Sequence, residues 1–454
     1  MNELRDLRGA AREIFDEALA AVDARRAVLD AVGFDGSTLR VGGARFELRG
    51  AVSPVYSVAL GKAAAAMASA LDERLGHGLV GGVLSAPPSD LKLSERWRVY
   101  AGGHPLPNGE SFEAARAAFE LLRAADEAGA LVVFLVSGGG SAMMELPRDP
   151  RLTLEDLREA NRVLVTCGAL IEEVNAVRRA LSAVKGGGLA ARAPRAAQTT
   201  LVVSDVAAGR AYDVASGPTL EAPPDAVHVN EIVARYGLAL KLPAPILQAL
   251  EESGARGAEH APTVARGTFQ VLLDNESACD AAVGAARARG FAVEFARDIV
   301  EQHVEEGTTL LVSRLLSLYA REAAAGGRGV CLISGGEFSC PVRGRGAGGR
   351  SAETALRVAL EFEKVLAGRD ARSGVVPKRL VALCAGTDGA DGNSPSAGAL
   401  ADETTVTRAR ARGLDAWKHL DESDAYTLFN ETGDAVHTGP TGTNVRDVRI
   451  LLAV

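Results

Sequence analysis

Several short segments of this chain place glycine, hydroxyl, cationic and carboxylate side chains where anion binding and proton transfer need them. The clearest is Ser137-Gly138-Gly139-Gly140-Ser141, directly after the apolar run Leu131–Val136. Consecutive glycines let neighbouring N–H groups converge on one anion, and the two serines add hydroxyl donors. Leu60-Gly61-Lys62 puts a lysine in the first turn of an expected helix, Lys62–Leu75. The helix dipole disfavours a cation there unless the pair holds a phosphate or carboxylate; an ordinary surface lysine is the other reading. Asn175, Arg178, Ser182 and Lys185 follow helical spacing and form one stripe beside the apolar Val174, Val177, Leu181 and Val184. That stripe is either a solvated face or a seat for an anion. Asp205 follows the run Thr200–Ser204 and suits a Mg²⁺ ligand, a proton acceptor for a hydroxyl, or a helix cap.

The second half carries a matching set. Ser334-Gly335-Gly336-Glu337 ends one run, and Gly344-Arg345-Gly346-Ala347-Gly348-Gly349-Arg350 precedes a helix. Thr387, Asp388 and Asp391 lie in a glycine loop after Leu380–Cys384, and Thr438–Val445, with Thr441 and Asn444, lies near the C-terminus. Asp388 and Asp391 are hard-cation ligands by type, although their spacing is not that of an EF-hand loop. Gly344, Gly346 and Gly349 satisfy the dinucleotide pattern G-x-G-x-x-G, but the next strand ends in Cys384-Ala385-Gly386 without a ribose-binding acid. Arg345 and Arg350 suit phosphate clamps better. A Walker P-loop and the protein-kinase triplets are missing, and no histidine has metal-ligand spacing; His104 reads as a turn residue.

Positioning these turns requires strands that end beside one another. Strands are expected at Val55–Leu60, Val80–Leu84, Arg98–Ala101, Leu131–Val136, Thr200–Ser204, Phe269–Leu273, Ala292–Phe295, Gly329–Ile333, Phe338–Val342 and Leu380–Cys384. Helices fit between most of them, at Lys62–Leu75, Gly109–Ala128, Leu154–Cys167, Ala169–Ala183, Ser277–Arg289, Thr308–Ala325 and Ala352–Leu366. The alternation implies α/β architecture with a parallel sheet covered on both faces, and ligands bind outside the carboxyl ends of such strands. The proline-rich stretch Glu221–Arg266 divides the chain into an N-terminal domain over 1–240 and a C-terminal one over 264–454.

Composition bounds the partners. With 454 residues, 47% apolar and only 4% aromatic, the chain can build two cores of Ala, Val and Leu. A net charge of −8 argues against nucleic acid. Five scattered cysteines fit reduced thiols, and no apolar run nears the roughly 18 residues a membrane span needs. A cytoplasmic protein is expected.

In order along nearly the whole chain, these strings resemble the glycerate 2-kinase family, whose C-terminal part is the MOFRL domain. The strings are Leu60–Ala64, His104–Pro107, Ser137–Ala142, Asn175–Arg178, Ser182–Gly187, Ser204–Val206, Ala215–Thr219, Ser334–Glu337, Gly348–Arg350, Thr387–Gly389, Asp391-Gly392 and Thr438–Val445. The resemblance implies a Rossmann-like N-terminal domain with a mostly parallel sheet, a MOFRL-type α/β domain, and an active site in the cleft between them. It implies ATP and Mg²⁺, with D-glycerate phosphorylated at its 2-hydroxyl. By position, Lys62, Asp205 and Arg350 are the implied catalytic core. Ser137, Gly138, Gly139, Gly140, Ser141, Asn175, Arg178, Lys185, Glu337, Gly348, Gly349, Thr387, Thr441 and Asn444 are implied to bind substrate and phosphate. Asp205, Asp388 and Asp391 are the implied metal ligands, and a homodimer is compatible with the reading.

The chain departs from the family pattern in three places. Ala207-Ala208-Gly209 follows Val206 where a second acid is usual, Asn108 follows His104–Pro107 in place of Asp, and Ser351 follows Arg350 in place of Asn. Lost carboxylates bear on metal binding and on acceptor choice. The alternatives are a hydroxypyruvate reductase using a nicotinamide cofactor and a non-catalytic phosphate- or nucleotide-binding protein.

Overall fold

The computed structural model describes residues 2–47, 54–220, 228–256, 267–327, 329–368 and 376–454. It divides into two compact units, Ala24–Leu272 and a second made of Met1–Asp23 with Leu273–Val454. The division differs from a split at 240 and 264. The N-terminal helix Asn2–Ala21 packs on the helix Asn275–Ala288, in the second unit. Of the expected boundary stretch, residues 221–227 and 257–266 lie outside the described residues. The helices between them, Val229–Arg235 and Ala244–Arg256, bury Ile232, Ile246 and Leu250 against Leu157, Leu164 and Val177 of the first unit.

The first unit is organised by a six-stranded sheet in the order Trp97–Ala101, Leu79–Ala86, Val55–Leu60, Leu131–Ser137, Ala197–Val203, Thr268–Leu273. Neighbours from Trp97–Ala101 through Ala197–Val203 all pair parallel. The central strand Leu131–Ser137 is buried at every residue, as its unbroken apolar run requires when helices cover both faces. One cover is Gly109–Glu127, whose start is fixed by a capping box between Asn108 and Ser111. Its Ala114, Ala118 and Leu122 meet Val58, Val132 and Phe134. Three short strands, Val32–Phe34, Thr38–Val41 and Ala44–Glu47, form a small antiparallel sheet.

The second unit has its own six-stranded sheet, ordered Ala292–Phe295, Val330–Gly336, Asp447–Ala453, Leu380–Gly386, Gly398–Asp402, Ala435–Val436. Only its first pair is parallel; the others are antiparallel. This is a mixed sheet, and the C-terminal segment Asp447–Ala453 occupies its middle. The strand expected at Phe338–Val342 does not form. The slot beside Val330–Gly336 is already filled by Asp447–Ala453, Pro341 lacks an N–H, and Phe338 instead lies under the Arg449 guanidinium, 3.7 Å from its ring centre. Among the described residues no helix is long and apolar enough to cross a membrane.

Candidate active site

In the first unit the chemistry gathers where three parallel strands end together. Leu60 is level with Val136, and Ser137 with Val203, so the turns after them are adjacent. Lys62 N–H donates to Gly138 O at 2.8 Å, and Ala63 N–H to Ser137 Oγ at 3.0 Å. Gly61 has φ +116°, and a Cβ there would collide with the Ser137 carbonyl, so this crossing demands glycine. Lys62 therefore stands ahead of the helix, which runs Ala64–Leu75, and not in its first turn. Its N–H is already committed to the neighbouring glycine turn.

The same turn touches the other expected groups. A Cβ on Gly138 would fall inside the van der Waals shell of the Asp205 side chain. A Cβ on Gly139, whose φ is +81°, would lie 3.3 Å from Lys62 Cγ and 3.1 Å from His104 Cδ2. Lys62, Asp205 and His104 thus surround Gly138 and Gly139. Ser141 Oγ lies 3.1 Å from Ser216 Oγ, and Ser216 Oγ donates to Asn175 Oδ1 at 3.1 Å. Ala215 and Ser216 both hold positive φ, a strained pair of the kind found where structure serves a site.

The expected helical stripe breaks. The helix ends at Leu181, and Ser182 is already extended, so Ser182 and Lys185 follow the helix instead of extending its face. Lys185, 1% exposed, is paired with Glu145, which also accepts from Ser182 Oγ at 2.5 Å. Burial outweighs the Glu145 attraction and holds Lys185 below the usual lysine range. Arg178 donates to Asn161 Oδ1 at 2.9 Å. Burial, only partly offset by Glu145, pulls its guanidinium below the usual arginine range. Glu145 was missed from the sequence, although an acid between Met144 and Leu146 was a visible anomaly.

In the second unit Arg350 is the first residue of the helix Arg350–Ala367, and Gly349 is its N-cap. Its Nε and Nη2 donate to the Asp447 carboxylate at 2.7 and 2.9 Å, and Nη2 also donates to Glu337 at 2.6 Å. Burial opposes its charge, but Asp447 and then Glu337 outweigh burial and hold the guanidinium above the usual range. Asp447, unremarked in the sequence, opens the central strand. Antiparallel pairing sets its backbone opposite both Gly336 and Gly386, between the turns that carry Glu337 and Thr387.

Asp391 does not stand as an open metal ligand. Its two oxygens accept Ser351 N–H and Ala352 N–H at 3.0 and 2.8 Å, capping the helix that starts with Arg350. Burial pushes its carboxyl up to about 7, against those two hydrogen bonds. This cap also fills the helix N-terminus that a dinucleotide pyrophosphate would use. Asp388 accepts Ala390 N–H at 3.2 Å. Among the described residues no group of three or more His, Cys, Asp or Glu is arranged to hold a metal ion. Thr387 ties its loop to the C-terminal one, donating to Arg446 O at 2.8 Å and accepting Val445 N–H at 2.8 Å. Thr441 Oγ1 donates to Thr387 O at 2.6 Å, and Asn444 Oδ1 accepts Arg446 N–H at 3.2 Å. Gly348 N–H donates to Asn393 Oδ1 at 2.8 Å. Beside Arg350 opens a cavity of about 450 Å³, lined in part by Cys340, Pro341, Val342 and Gly348, within the size range of small-molecule sites.

Two α/β units whose strand ends present glycine turns with cations and carboxylates, and which lack a P-loop, define a phosphate-handling enzyme of non-Walker architecture. Residues 10–251 match the family described as "Domain of unknown function (DUF4147)", and residues 330–447 match the "MOFRL family". The chain is 32% identical to "Glycerate 2-kinase" of Pyrococcus horikoshii, over 98% of this chain and 97% of that protein. The solved structure of the glycerate kinase of Thermotoga maritima superposes with a TM-score of 0.79 at 30% identity, covering 99% of this chain and 100% of that one. A protein of Agrobacterium vitis named "Putative hydroxypyruvate reductase" is 35% identical over 87% of this chain and 98% of its own length. This chain belongs to the glycerate 2-kinase family.

Proposed function

We propose that this protein transfers the γ-phosphoryl group of ATP to the 2-hydroxyl of D-glycerate, giving 2-phosphoglycerate. The observation that carries the reading is the convergence of Lys62 and Asp205 on the glycine turn Ser137–Ser141. Phosphoryl transfer needs positioning and charge neutralisation more than covalent help from the protein. Backbone N–H groups of the turn suit phosphate or carboxylate oxygens, and Lys62 supplies positive charge there; in the second unit Arg350 is the candidate cation for a phosphoryl group. Asp205 accepts the hydroxyl proton or holds Mg²⁺. Magnesium usually takes one or two protein carboxylates and completes its shell with phosphates and water, so Asp205 fits it in the first unit; in the second, Asp388 fits better than Asp391, whose oxygens cap a helix. The ion would neutralise phosphate charge. Arg178 is the candidate for the acceptor's carboxylate. Lys185, neutralised by Glu145, supports this region from behind.

The reductase reading is disfavoured by the Asp391 cap on the helix Arg350–Ala367, which follows the dinucleotide-like glycines Gly344, Gly346 and Gly349. The test is incubation with ATP, Mg²⁺ and a panel of C3–C4 hydroxy acids, with products identified by ³¹P NMR. D-glycerate phosphorylated at C2 is expected. Oxidation of NADH by hydroxypyruvate without ATP turnover would overturn the proposal, as would near-normal kcat/KM in both Lys62→Ala and Arg350→Ala.

A further inference from the structure

Arg350 is held by two carboxylates of unlike exposure. Asp447 grips Nε and Nη2 side-on and is 2% exposed. Its backbone is fixed by pairing with Gly336 on one side and Gly386 on the other, and the buried side chain keeps both oxygens on the guanidinium. Glu337 reaches Nη2 at 2.6 Å from the turn after a strand end, and a third of its side chain is exposed. The buried Arg449 also faces Asp447 electrostatically, whereas Glu337 is paired with Arg350 itself. A phosphoryl group received at Arg350 would contend with Glu337 for Nη2 and would meet its charge.

Resting on the reading that Arg350 receives a phosphoryl group, we propose that Asp447 is its fixed positioning residue and Glu337 its exchangeable counter-ion. Phosphate oxygens take over the Nη2 hydrogen bond of Glu337, whose carboxylate turns to solvent, while Asp447 keeps the guanidinium plane in place. Arg350 then makes as many hydrogen bonds with phosphate bound as without it. A neutral ligand cannot make the same exchange, because it does not replace the charge of Glu337. No covalent step is involved.

The two carboxylates are thereby assigned opposite effects, which kinetics can separate. Glu337→Gln keeps a hydrogen-bond acceptor but removes the competing charge, and Mg·ATP should bind about ten-fold more tightly, the effect of one unit charge roughly 5 Å away in a partly solvated site. Asp447→Asn frees the guanidinium, and kcat should fall about 100-fold with little change in KM. Calorimetric Kd for Mg·ATP and steady-state kcat and KM are measured on both variants and on Arg350→Ala. Unchanged or weaker ATP binding in Glu337→Gln overturns the counter-ion role. A raised KM with preserved kcat in Asp447→Asn overturns the positioning role. Should Asp447→Asn fail to fold, the Glu337→Gln measurement decides the exchange alone. Normal kcat/KM in Arg350→Ala refutes the reading of Arg350 itself, a result distinct from an inactive Arg350→Ala beside an unresponsive Glu337→Gln.

Discussion

Gly138→Ala is a single methyl aimed at one carboxylate. The added Cβ would stand 2.9 Å from Asp205 Cβ and closer still to its carboxylate, whereas ordinary contact begins at 3.4 Å. Asp205 must therefore swing away by about 1 Å, a displacement that costs about 100-fold when the group acts on the reacting atoms. Gly138 is absent from the positive-φ glycines, so the backbone accepts alanine and its lower unfolded-state entropy returns about 0.4–1 kcal/mol. Activity and stability should therefore part company. ADP release coupled to NADH oxidation, with D-glycerate as acceptor, should show kcat/KM down about 100-fold, while thermal melting stays within a few degrees of the parent. Gly284→Ala is the control, since nothing lies within 4 Å of its Cβ position, and it should keep full activity. Wild-type kcat/KM in Gly138→Ala would show that the position of Asp205 does not matter to the chemistry and would remove it from the catalytic set.

Three further outcomes follow from buried charge. Lys185→Met strands Glu145, and losing one partner of such a pair costs about 3–5 kcal/mol, or roughly 6–20 °C in Tm for a unit of this size; Glu145→Met/Lys185→Met should recover most of it, and a double variant no better than the single one contradicts the pairing. Arg8, on the N-terminal helix, bridges Asp402 and Asp434, both buried, with Arg408 on the same two acids. Arg8→Ala should cost about 2–4 kcal/mol in urea unfolding followed by the fluorescence of Trp417, and an unmoved midpoint would show that the helix is a dispensable appendage. Burial pushes the Asp391 carboxyl up from the usual carboxylate range to about 7. Its folded pKa is raised, so its contribution is full at acid pH and is lost as pH rises through 7. The stability advantage of the wild type over Asp391→Asn should shrink between pH 5.5 and pH 8.5, and a constant difference refutes the assignment.

The first unit was legible because its two central strands are largely apolar and its turns glycine-rich. Leu131–Ser137 and Val55–Leu60 lie where the runs predicted, and the register between them brings Lys62 to Gly138. Lys185 misled because helical spacing was extended past Leu181, where Ser182 turns its side chain to Glu145. A partner 40 residues away in sequence leaves no local signal. Cap chemistry explains Asp391 in the same way: an acid in a glycine loop reads as a metal ligand until the helix it faces is known.

The largest omission was the strand Asp447–Ala453, and its cause bears on function. Arg446, Asp447 and Arg449 break the apolar pattern that marks a buried strand. Each charge is nonetheless accommodated: Asp447 by Arg350, Arg446 by Glu301, and Arg449 by Ser334, the Gly335 carbonyl and the face of Phe338. Burying such groups is costly and a hydrophobic strand would hold the sheet as well. The charges are intelligible if the strand also aims Arg350 and braces the Ser334–Glu337 turn from below. An antiparallel strand in mid-sheet begins where its neighbours end, so only this topology puts an acid between the two turns. The features that hid the strand from a reading of hydrophobic pattern are the ones that tie the sheet of the second unit to the proposed chemistry at Arg350.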